Sequence, residues 1–301
     1  MINYPEMLCD DGYVIYLFHG VIREQRHSIR NYTHKHILID KFISIVRDLC
    51  RQGMPVSMPD IVAASYGKKG LPPRAFAITF DDGFENNYSI AAPVLADLGI
   101  PATFYITTDF IESNISSWID LIEYAVEKVD RVELNLPYPG MSGVYETDEQ
   151  KIAWLGEIRR FIKSAAQIDP YGFALEIWNQ LNITAMEIDR DLDQKMTWEQ
   201  VRELHCGDLF TIGGHGHTHR VLAFLDRTEL EKEVIMSLEK LRAQLEGPIE
   251  HYSYPEGLTN CYSKPVIDVL RRHGILCAPT AESGANRLGD SLFHLKRVMV
   301  D

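Results

Sequence analysis

A chain of 301 residues, of which 46% are hydrophobic, is long enough to bury the core of one barrel-sized α/β domain or of two smaller domains. The charged fraction of 24% is ordinary for a globular protein. The net charge of −13 argues against nucleic acid or an anionic membrane as the main partner, because phosphate contacts need clustered Lys and Arg.

The first third of the sequence alternates short apolar runs with helical patterns. The strands predicted from the apolar runs are 14–18, 75–79 and 102–106. Apolar residues at helical spacing predict one helix around 42–49 and another over 88–98. Gly99 is a typical residue just beyond a helix end, so the second helix is expected to stop there.

The segment 112–195 interrupts this alternation. Its predicted elements are two strands, at 131–136 and 140–146, and two helices, at 148–166 and 171–180. We interpret the segment as an α+β cap subdomain inserted into a single domain that spans 1–301. Six of its aromatic residues are predicted mainly to form the core of this subdomain rather than to stack on sugars: Trp118, Tyr124, Tyr138, Tyr145, Trp154 and Trp178.

The last third returns to the alternation of strands and helices. Capping-box signatures at 197–200 and 226–229 predict two helix starts, and a further helix is predicted over 264–273. The predicted strands are 209–212, 251–254, 276–278 and 292–300. Alternation of this kind implies parallel strands joined by helical crossovers, as in an α/β barrel.

The cysteine content and the N-terminal segment indicate where in the cell the protein is expected to be. Five cysteines at wide spacing, without a Cys-x-x-Cys pair, argue against a disulfide framework or a thiolate zinc site. No basic region followed by an apolar run marks a signal peptide, and the longest apolar run, 14–18, is far too short to span a bilayer. If the chain is complete, these features predict a cytoplasmic protein without a membrane span.

Two polar clusters directly follow predicted strands. The segment 79–83 reads Thr-Phe-Asp-Asp-Gly, and the segment 215–219 reads His-Gly-His-Thr-His. One carboxylate and two imidazoles form a three-ligand set for a divalent metal with an open position. The second carboxylate is left to act as a base on water activated by the metal. Active sites of α/β barrels lie where strands end, so this placement predicts a metal-dependent hydrolase.

Each cluster also has a plainer interpretation. Adjacent Asp residues after a strand can cap a helix or form a turn. The spacing of His215 and His219 is that of helical zinc proteases, but those need Glu where this chain has Gly216. We therefore predict His215 and His219 as metal ligands on a loop, with His217 in a supporting or exposed position.

Together, the motifs strongly resemble those of the NodB-like polysaccharide deacetylases, carbohydrate esterase family 4. The resemblance covers nearly the whole chain and rests on the segments 79–83, 93–95 (Pro-Val-Leu), 100–106 (Ile-Pro-Ala-Thr-Phe-Tyr-Ile), 213–219, 253–257 (Ser-Tyr-Pro-Glu-Gly) and 293–298. It implies a deformed (β/α)7-type barrel. It also implies a divalent metal cofactor, with Zn²⁺ expected and Co²⁺, Ni²⁺ or Mn²⁺ as alternatives.

The resemblance further implies roles for individual residues. Asp82, His215 and His219 would hold the metal, and Asp81 would be the general base. The segment 16–21, Tyr-Leu-Phe-His-Gly-Val, resembles the Tyr-His motif of a subgroup that includes exported deacetylases of poly-N-acetylglucosamine. In that subgroup the His is the general acid, which makes the His of this segment, His19, the expected proton donor. The alternative is a structural histidine at a strand end.

The third motif departs from the family pattern at two positions. The family often carries an Arg two residues before the Pro, which is thought to orient the base, and here that residue is Ser253. The residue after the Pro is usually aromatic and offers its backbone N–H to the oxyanion, and here it is Glu256. Glu256 and Tyr254 are expected at the oxyanion or the substrate. An added carboxylate could alter pKa values or the choice of substrate.

The resulting prediction is removal of an acetyl group, with N-acetyl expected, from an amino sugar of a polysaccharide, glycan intermediate or sugar precursor. The partner is accordingly an N-acetylated carbohydrate. Two alternatives stay open. One is a metal-dependent amidohydrolase that acts on a non-sugar amide, and the other is an inactive homologue that only binds glycan.

Overall fold

The centre of the fold is a parallel β-sheet, seen in a computed structural model that describes residues 3–301. Residues 1 and 2, which the predicted domain includes, lie outside the described residues. The strands are β1 (Tyr13–Phe18), β2 (Gly20–Ile22), β3 (His36–Leu38), β4 (Met54–Pro55), β5 (Ala75–Phe80), β6 (Ala102–Ile106), β7 (Val132–Leu134), β8 (Gly143–Tyr145), β9 (Phe210–Gly214) and β10 (Val298–Met299).

Parallel pairing runs through the sheet in the order β10-β1-β5-β6-β9, and β4 pairs with the start of β5. Isolated parallel bridges carry this order onward from β9 to the C-terminal segment: Gly214 with Tyr252, His251 with Cys277, and Pro279 with Leu295. That segment also carries β10, which pairs with β1. The pairings thus lead back to the strand where they began, and the predicted α/β class with a parallel sheet is confirmed.

The helices are α1 (Ile39–Gln52), α2 (Met58–Ser65), α3 (Ala92–Asp97), α4 (Thr108–Ser113), α5 (Trp118–Lys128), α6 (Asp148–Ser164), α7 (Pro170–Gln180), α8 (Arg190–Asp193), α9 (Trp198–His205), α10 (Arg227–Gln244) and α11 (Lys264–Arg272). Both predicted capping boxes form, with Thr197 and Asp226 at the N-caps of α9 and α10. The single helix predicted over 88–98 is instead a π-helical turn, Asn87–Ala91, followed by α3.

Strands β1, β5 and β6 are buried along their whole length, because each is covered on both faces. The largest core cluster packs these strands against helices such as α1 and α10. Among the described residues, no helix has both the length and the apolar character needed to cross a membrane. The cytoplasmic location stays a prediction.

A second hydrophobic core lies within the segment that interrupts the alternation. It is built by α5, α6, α7 and the antiparallel pair β7–β8, and Ile29 joins it from outside. Its most deeply buried tryptophan is Trp154, which is 1% exposed and donates from its indole N–H to the carbonyl of Met141 at 3.2 Å. Most of the six aromatic side chains pack within this core, but Trp118 also borders the cavity that contains Asp81 and Asp82. The division of the chain into a catalytic domain and a 112–195 insertion remains a prediction.

Candidate active site

Asp81 and Asp82 directly follow β5 and are both buried. The backbone N–H of Asp81 donates to the carbonyl of Phe18 at 3.1 Å, which continues the pairing of β5 with β1 by one more residue. Asp82 then takes a left-handed backbone conformation with φ +76°, and Gly83 follows with φ +87°. For a residue other than glycine this conformation costs on the order of 1–3 kcal/mol, and such strain clusters at functional sites.

His215 directly follows β9 and lies beside the end of β6, because its backbone N–H donates to the carbonyl of Ile106 at 2.9 Å. Close packing requires glycine at position 213, the last but one residue of β9. A Cβ at Gly213 would stand 2.7 Å from both the carbonyl of His251 and the ring of Tyr105. The Gly-Gly pair therefore lets the loop that carries His215 approach the neighbouring strand.

His219 lies on the same loop, and residues missed by the sequence analysis hold it. The carboxylate of Glu233 on α10 accepts hydrogen bonds from the backbone N–H groups of His217 and Thr218 at 2.8 Å and 2.6 Å. The imidazole of His219 stacks on Phe110 of α4. His217 turns away to share a 2.9 Å hydrogen bond with Thr108, which is the supporting position predicted for it.

The carboxylate of Asp82 and the two imidazoles converge at one point. Asp82 Oδ1 lies 3.5 Å from His215 Nε2 and 3.3 Å from His219 Nε2, and the three potential ligand atoms all lie within 4.8 Å of one another. In residues 3–301, Asp82 Oδ1 is a buried oxygen without a hydrogen-bond partner. His215 Nδ1 donates to the carbonyl of Ser253 at 3.0 Å, so its Nε2 carries the free lone pair. The donor set fits a divalent cation.

The electrostatics of this cluster favour the ionised carboxylate. Burial would raise the pKa of Asp82, but contacts with the His215 and His219 imidazoles hold it well below its ordinary value. Burial likewise opposes the charged form of His219, yet contact with Asp82 raises the pKa of this imidazole. Asp82 therefore supplies the negative charge that a cation bound at this cluster would neutralise.

Asp81 does not join the cluster but pairs with Arg297, a residue that the sequence analysis did not single out. The guanidinium donates Nη1–H to Asp81 Oδ1 at 2.8 Å and Nη2–H to Asp81 Oδ2 at 2.7 Å. Arg297 Nη2 also donates to the hydroxyl of Ser253 at 2.8 Å. Ser253 stands where the resembled family often has its Arg, and here the guanidinium beside Asp81 comes from a segment 216 residues along the chain. It is a bidentate, fully buried pair.

This pairing sets the charge of Asp81. Burial would raise the pKa of its carboxyl group, but the Arg297 guanidinium holds that pKa below the ordinary value. A lowered folded-state pKa stabilises the protein above the unfolded-state pKa, and this contribution is lost as the pH falls through the folded-state pKa. Asp81 is therefore an anion at neutral pH and able to accept a proton.

We expect Arg297→Gln to raise the pKa of Asp81 and to destabilise the fold. Removing one partner of a buried ion pair typically costs roughly 3–5 kcal/mol, because the other charge stays buried. The acid limb of the pH–rate profile of any hydrolysis in which Asp81 serves as the base should move to higher pH, which a purely structural role for Arg297 would not produce.

The matched control for this prediction is Arg287→Gln, because Arg287 is exposed and pairs only with Asp11. It should leave both the melting temperature and the pH–rate profile unchanged. An unshifted acid limb in Arg297→Gln would show that Arg297 does not set the protonation of Asp81.

His19, the predicted proton donor, borders the same cavity as Asp81, Asp82 and the two ligand imidazoles. Its Nδ1 atom is buried without a hydrogen-bond partner in the described part of the chain. Burial lowers the pKa of His19 to about 4, although both carboxylates act in the opposite direction. The resting imidazole is neutral at pH 7, so it has to gain a proton during any reaction in which it serves as an acid.

Glu256 and Tyr254, the two residues predicted at the oxyanion or substrate, take different positions. Glu256 borders the cavity, has a left-handed backbone with φ +61°, and forms an ion pair with Lys163 of α6. The position of Tyr254 corrects the prediction, because its side chain is fully buried. Its hydroxyl donates to the carbonyl of Phe293 at 3.1 Å, and its ring stacks on Tyr262. Tyr254 supports the loop and does not face the cavity.

The site cavity, defined by His19, Asp81, Asp82, His215, His219 and Glu256, has a volume of about 300 Å³. Leu17, Trp118, Ala281, Met299 and Asp301 also line it. Further lining residues that the sequence analysis missed are Thr33, Lys35, Ser117, Ile119, Arg159 and Lys163. Lys35 pairs with Asp120 at 2.5 Å, and Arg159 pairs with Glu123 at 2.7 Å. These cations are thus balanced by carboxylates of α5, and no local sequence pattern marks them.

Comparisons with known proteins indicate the same family that the sequence motifs resemble. A family model described as polysaccharide deacetylase matches residues 68–278. The poly-beta-1,6-N-acetyl-D-glucosamine N-deacetylase of Escherichia coli K12 is 33% identical over 82 residues, which cover 26% of this chain. The matched part is only 11% of the length of that protein.

Solved structures match over nearly the whole length of the chain. The deacetylase PplD of Streptococcus pyogenes has a TM-score of 0.62 and 14% identity, with 96% of this chain and 92% of that chain covered. IcaB from Ammonifex degensii has a TM-score of 0.62 and 18% identity, with 98% and 94% covered. At such identities the likeness demonstrates a shared fold.

Proposed function

We propose, because this chain belongs to the polysaccharide deacetylase family, that it hydrolyses the N-acetyl group of an amino sugar with a divalent cation held by Asp82, His215 and His219. The observation that carries the proposal is the convergence of this donor set beside a second, separately paired carboxylate, Asp81, in one cavity. A site built only for structural metal would need no spare acid.

Zinc is the cation that best suits two imidazoles and one carboxylate, with cobalt, nickel or manganese as alternatives. When bound, the cation would supply the Lewis acid that polarises the acetyl carbonyl and makes water more acidic. Everything else in the reaction is assigned to side chains and backbone of the chain itself.

Asp81 is proposed as the general base that takes a proton from the attacking water. Arg297 keeps the carboxylate ionised and fixes its orientation through two hydrogen bonds. The same guanidinium also makes the carboxylate a weaker base, because it lowers the pKa of Asp81. The arrangement therefore favours a correctly placed, always ionised base over a strongly basic one.

His19 is proposed to donate a proton to the leaving amine nitrogen. An amine is too basic to depart as an anion, so this proton is needed for the C–N bond to break. His19 would take up that proton from solvent, because negative charge that develops on the acetyl oxygen favours the protonated imidazole and offsets the effect of burial. Asp81 would then release to solvent the proton it took from water, so both side chains end in their starting protonation states. The backbone N–H of Glu256 is proposed as a further donor to that oxygen.

We expect His19→Gln to slow the release of acetate from N-acetyl sugars about a hundredfold. The same change should slow hydrolysis of 4-nitrophenyl acetate only slightly, because the phenolate leaves without being protonated. Both rates can be followed with metal-loaded protein. An equal loss on amide and aryl ester would indicate that His19 positions the site and donates no proton.

The proposed substrate class is based on the family and on the name of one relative. The E. coli relative is named for poly-beta-1,6-N-acetyl-D-glucosamine, so N-acetylglucosamine units are the first substrates to test. Purified, metal-loaded protein should release acetate from at least one member of a panel of polymers, oligosaccharides and nucleotide sugars. Turnover confined to non-sugar amides would overturn the carbohydrate assignment. Stoichiometric metal without any turnover would point to a glycan-binding role.

A further inference from the structure

A second cavity opens beside the site cavity and shares part of its wall. The two have four lining residues in common: Trp118, Lys163, His219 and Glu256. The second cavity is the larger, at about 550 Å³ against about 300 Å³. Because His219 belongs to both, whatever occupies the second cavity lies immediately next to the proposed cation and to the sugar that is deacetylated.

The lining of this second cavity is mainly aliphatic and aromatic, and we call it the apolar cavity. One wall is the C-terminal end of α6 with the loop that leads into α7, and the opposite wall is the loop that follows the His motif. The apolar residues that line it are Trp118, Ile162, Ala165, Ala166, Ile168, Pro170, Tyr171, Val221, Phe224 and Leu225.

Most of the charged and hydroxyl groups at its edge are engaged with other parts of the chain, and the amide of Gln167 is a further polar group on the lining. The carboxylate of Asp169 accepts from two backbone N–H groups at the start of α7. The hydroxyl of Thr218 donates to Glu233, and Arg220 donates to Glu229. Lys163 is paired with Glu256. A sugar residue would need several free hydrogen-bonding groups here, whereas an apolar group needs none.

We infer that the substrate carries an apolar group next to its acetylated sugar, and that this group occupies the apolar cavity while the sugar lies at Asp81, His215 and His219. The inference rests on the proposed function and narrows its substrate class to amphiphilic derivatives of an N-acetylamino sugar. An unbranched polar polymer would leave the apolar cavity filled only with water.

The kinetic experiment compares octyl and methyl N-acetyl-β-D-glucosaminide as substrates of the metal-loaded protein, below the concentration at which the octyl compound forms micelles. We expect kcat/KM to be at least about tenfold higher for the octyl compound, since several methylenes leave water. Val221→Asp should reduce this ratio to about twofold or less, because a carboxylate would then face the alkyl chain. The ratio cancels any effect that the variant has on both substrates alike.

Val144→Asp is the matched control, because Val144 is 45% exposed on β8 and does not border the cavity. It should leave the octyl-to-methyl ratio unchanged. Should Val221→Asp fail to fold, Val221→Gln tests the same point with a smaller expected drop. A wild-type ratio near one, or a ratio that both cavity variants leave intact, would overturn the inference.

Calorimetric titration separates this inference from the proposed function. Octyl β-D-glucosaminide, the deacetylated compound, should bind the metal-loaded protein at least about tenfold more tightly than the methyl compound, and Val221→Asp should abolish the difference. This binding without acetate release from any sugar would support the apolar cavity and overturn the deacetylase. Acetate release without any preference for the octyl compound would support the deacetylase and overturn the inference about the apolar cavity.

Discussion

Asp81→Asn is expected to slow acetate release by about a thousandfold, because the amide cannot take a proton from water. Asn has nearly the shape of Asp, so the loop after β5 should keep its conformation and the cation site should stay intact. The measurement is the initial rate of acetate release at high and low substrate concentration. A base that acts in the chemical step should lower kcat as strongly as kcat/KM.

The control for this variant is Asp97→Asn, since Asp97 is an exposed residue at the end of α3. It should leave the rate unchanged. The metal content of both variants should equal that of the unmodified protein, because Asp81 pairs mainly with Arg297, lies 3.8 Å from His215 Nε2 and is not one of the three clustered ligands. A rate within tenfold of normal in Asp81→Asn would remove Asp81 from the role of base.

His215→Ala is expected to remove both the cation and the activity. It deletes one of three ligands, so affinity for the cation should fall by a hundredfold or more and acetate release by about a thousandfold. The carbonyl of Ser253 also loses its hydrogen bond from His215 Nδ1. Metal per chain after dialysis, measured by mass spectrometry, gives a readout that is independent of catalysis.

His294→Ala serves as the control here, because the exposed His294 lies outside the cluster and interacts with Ser291. It should keep the full metal content and the full rate. His217→Ala adds a sharper comparison within the same motif: it should keep the metal, since His217 is turned toward Thr108. Metal retained by His215→Ala but lost by His217→Ala would contradict the assigned ligand set.

Strand-end residues were the part of the site that the sequence could predict. Asp82 and His215 each follow an apolar run closely, and parallel strands bring their carboxyl ends to one edge. The strand ends alone therefore predict that the carboxylate of Asp82 lies beside the imidazoles, whatever conformation the loops adopt. The parallel sheet itself was predictable for the same reason, because strand and helix patterns alternate regularly.

Contacts between distant segments were not predictable from local pattern. Nothing in the local sequence around Arg297 shows that it pairs with a carboxylate 216 residues away. The ion pair of Glu256 with Lys163 joins the third motif to the insertion in the same way. The prediction for Tyr254 was wrong for a related reason. The motif specifies its position in the sequence but not the direction in which its ring points.

The pairing of Asp81 with Arg297 has a consequence for the order in which the protein folds. The segments that carry Asp82, His215 and His219 precede the C-terminal segment in synthesis, so the cation ligands can gather before β10 docks beside β1. Until it docks, Asp81 has no guanidinium to offset its loss of water. A chain shortened before Arg297 is therefore expected to keep the three potential cation ligands but to lack the guanidinium that holds Asp81 ionised.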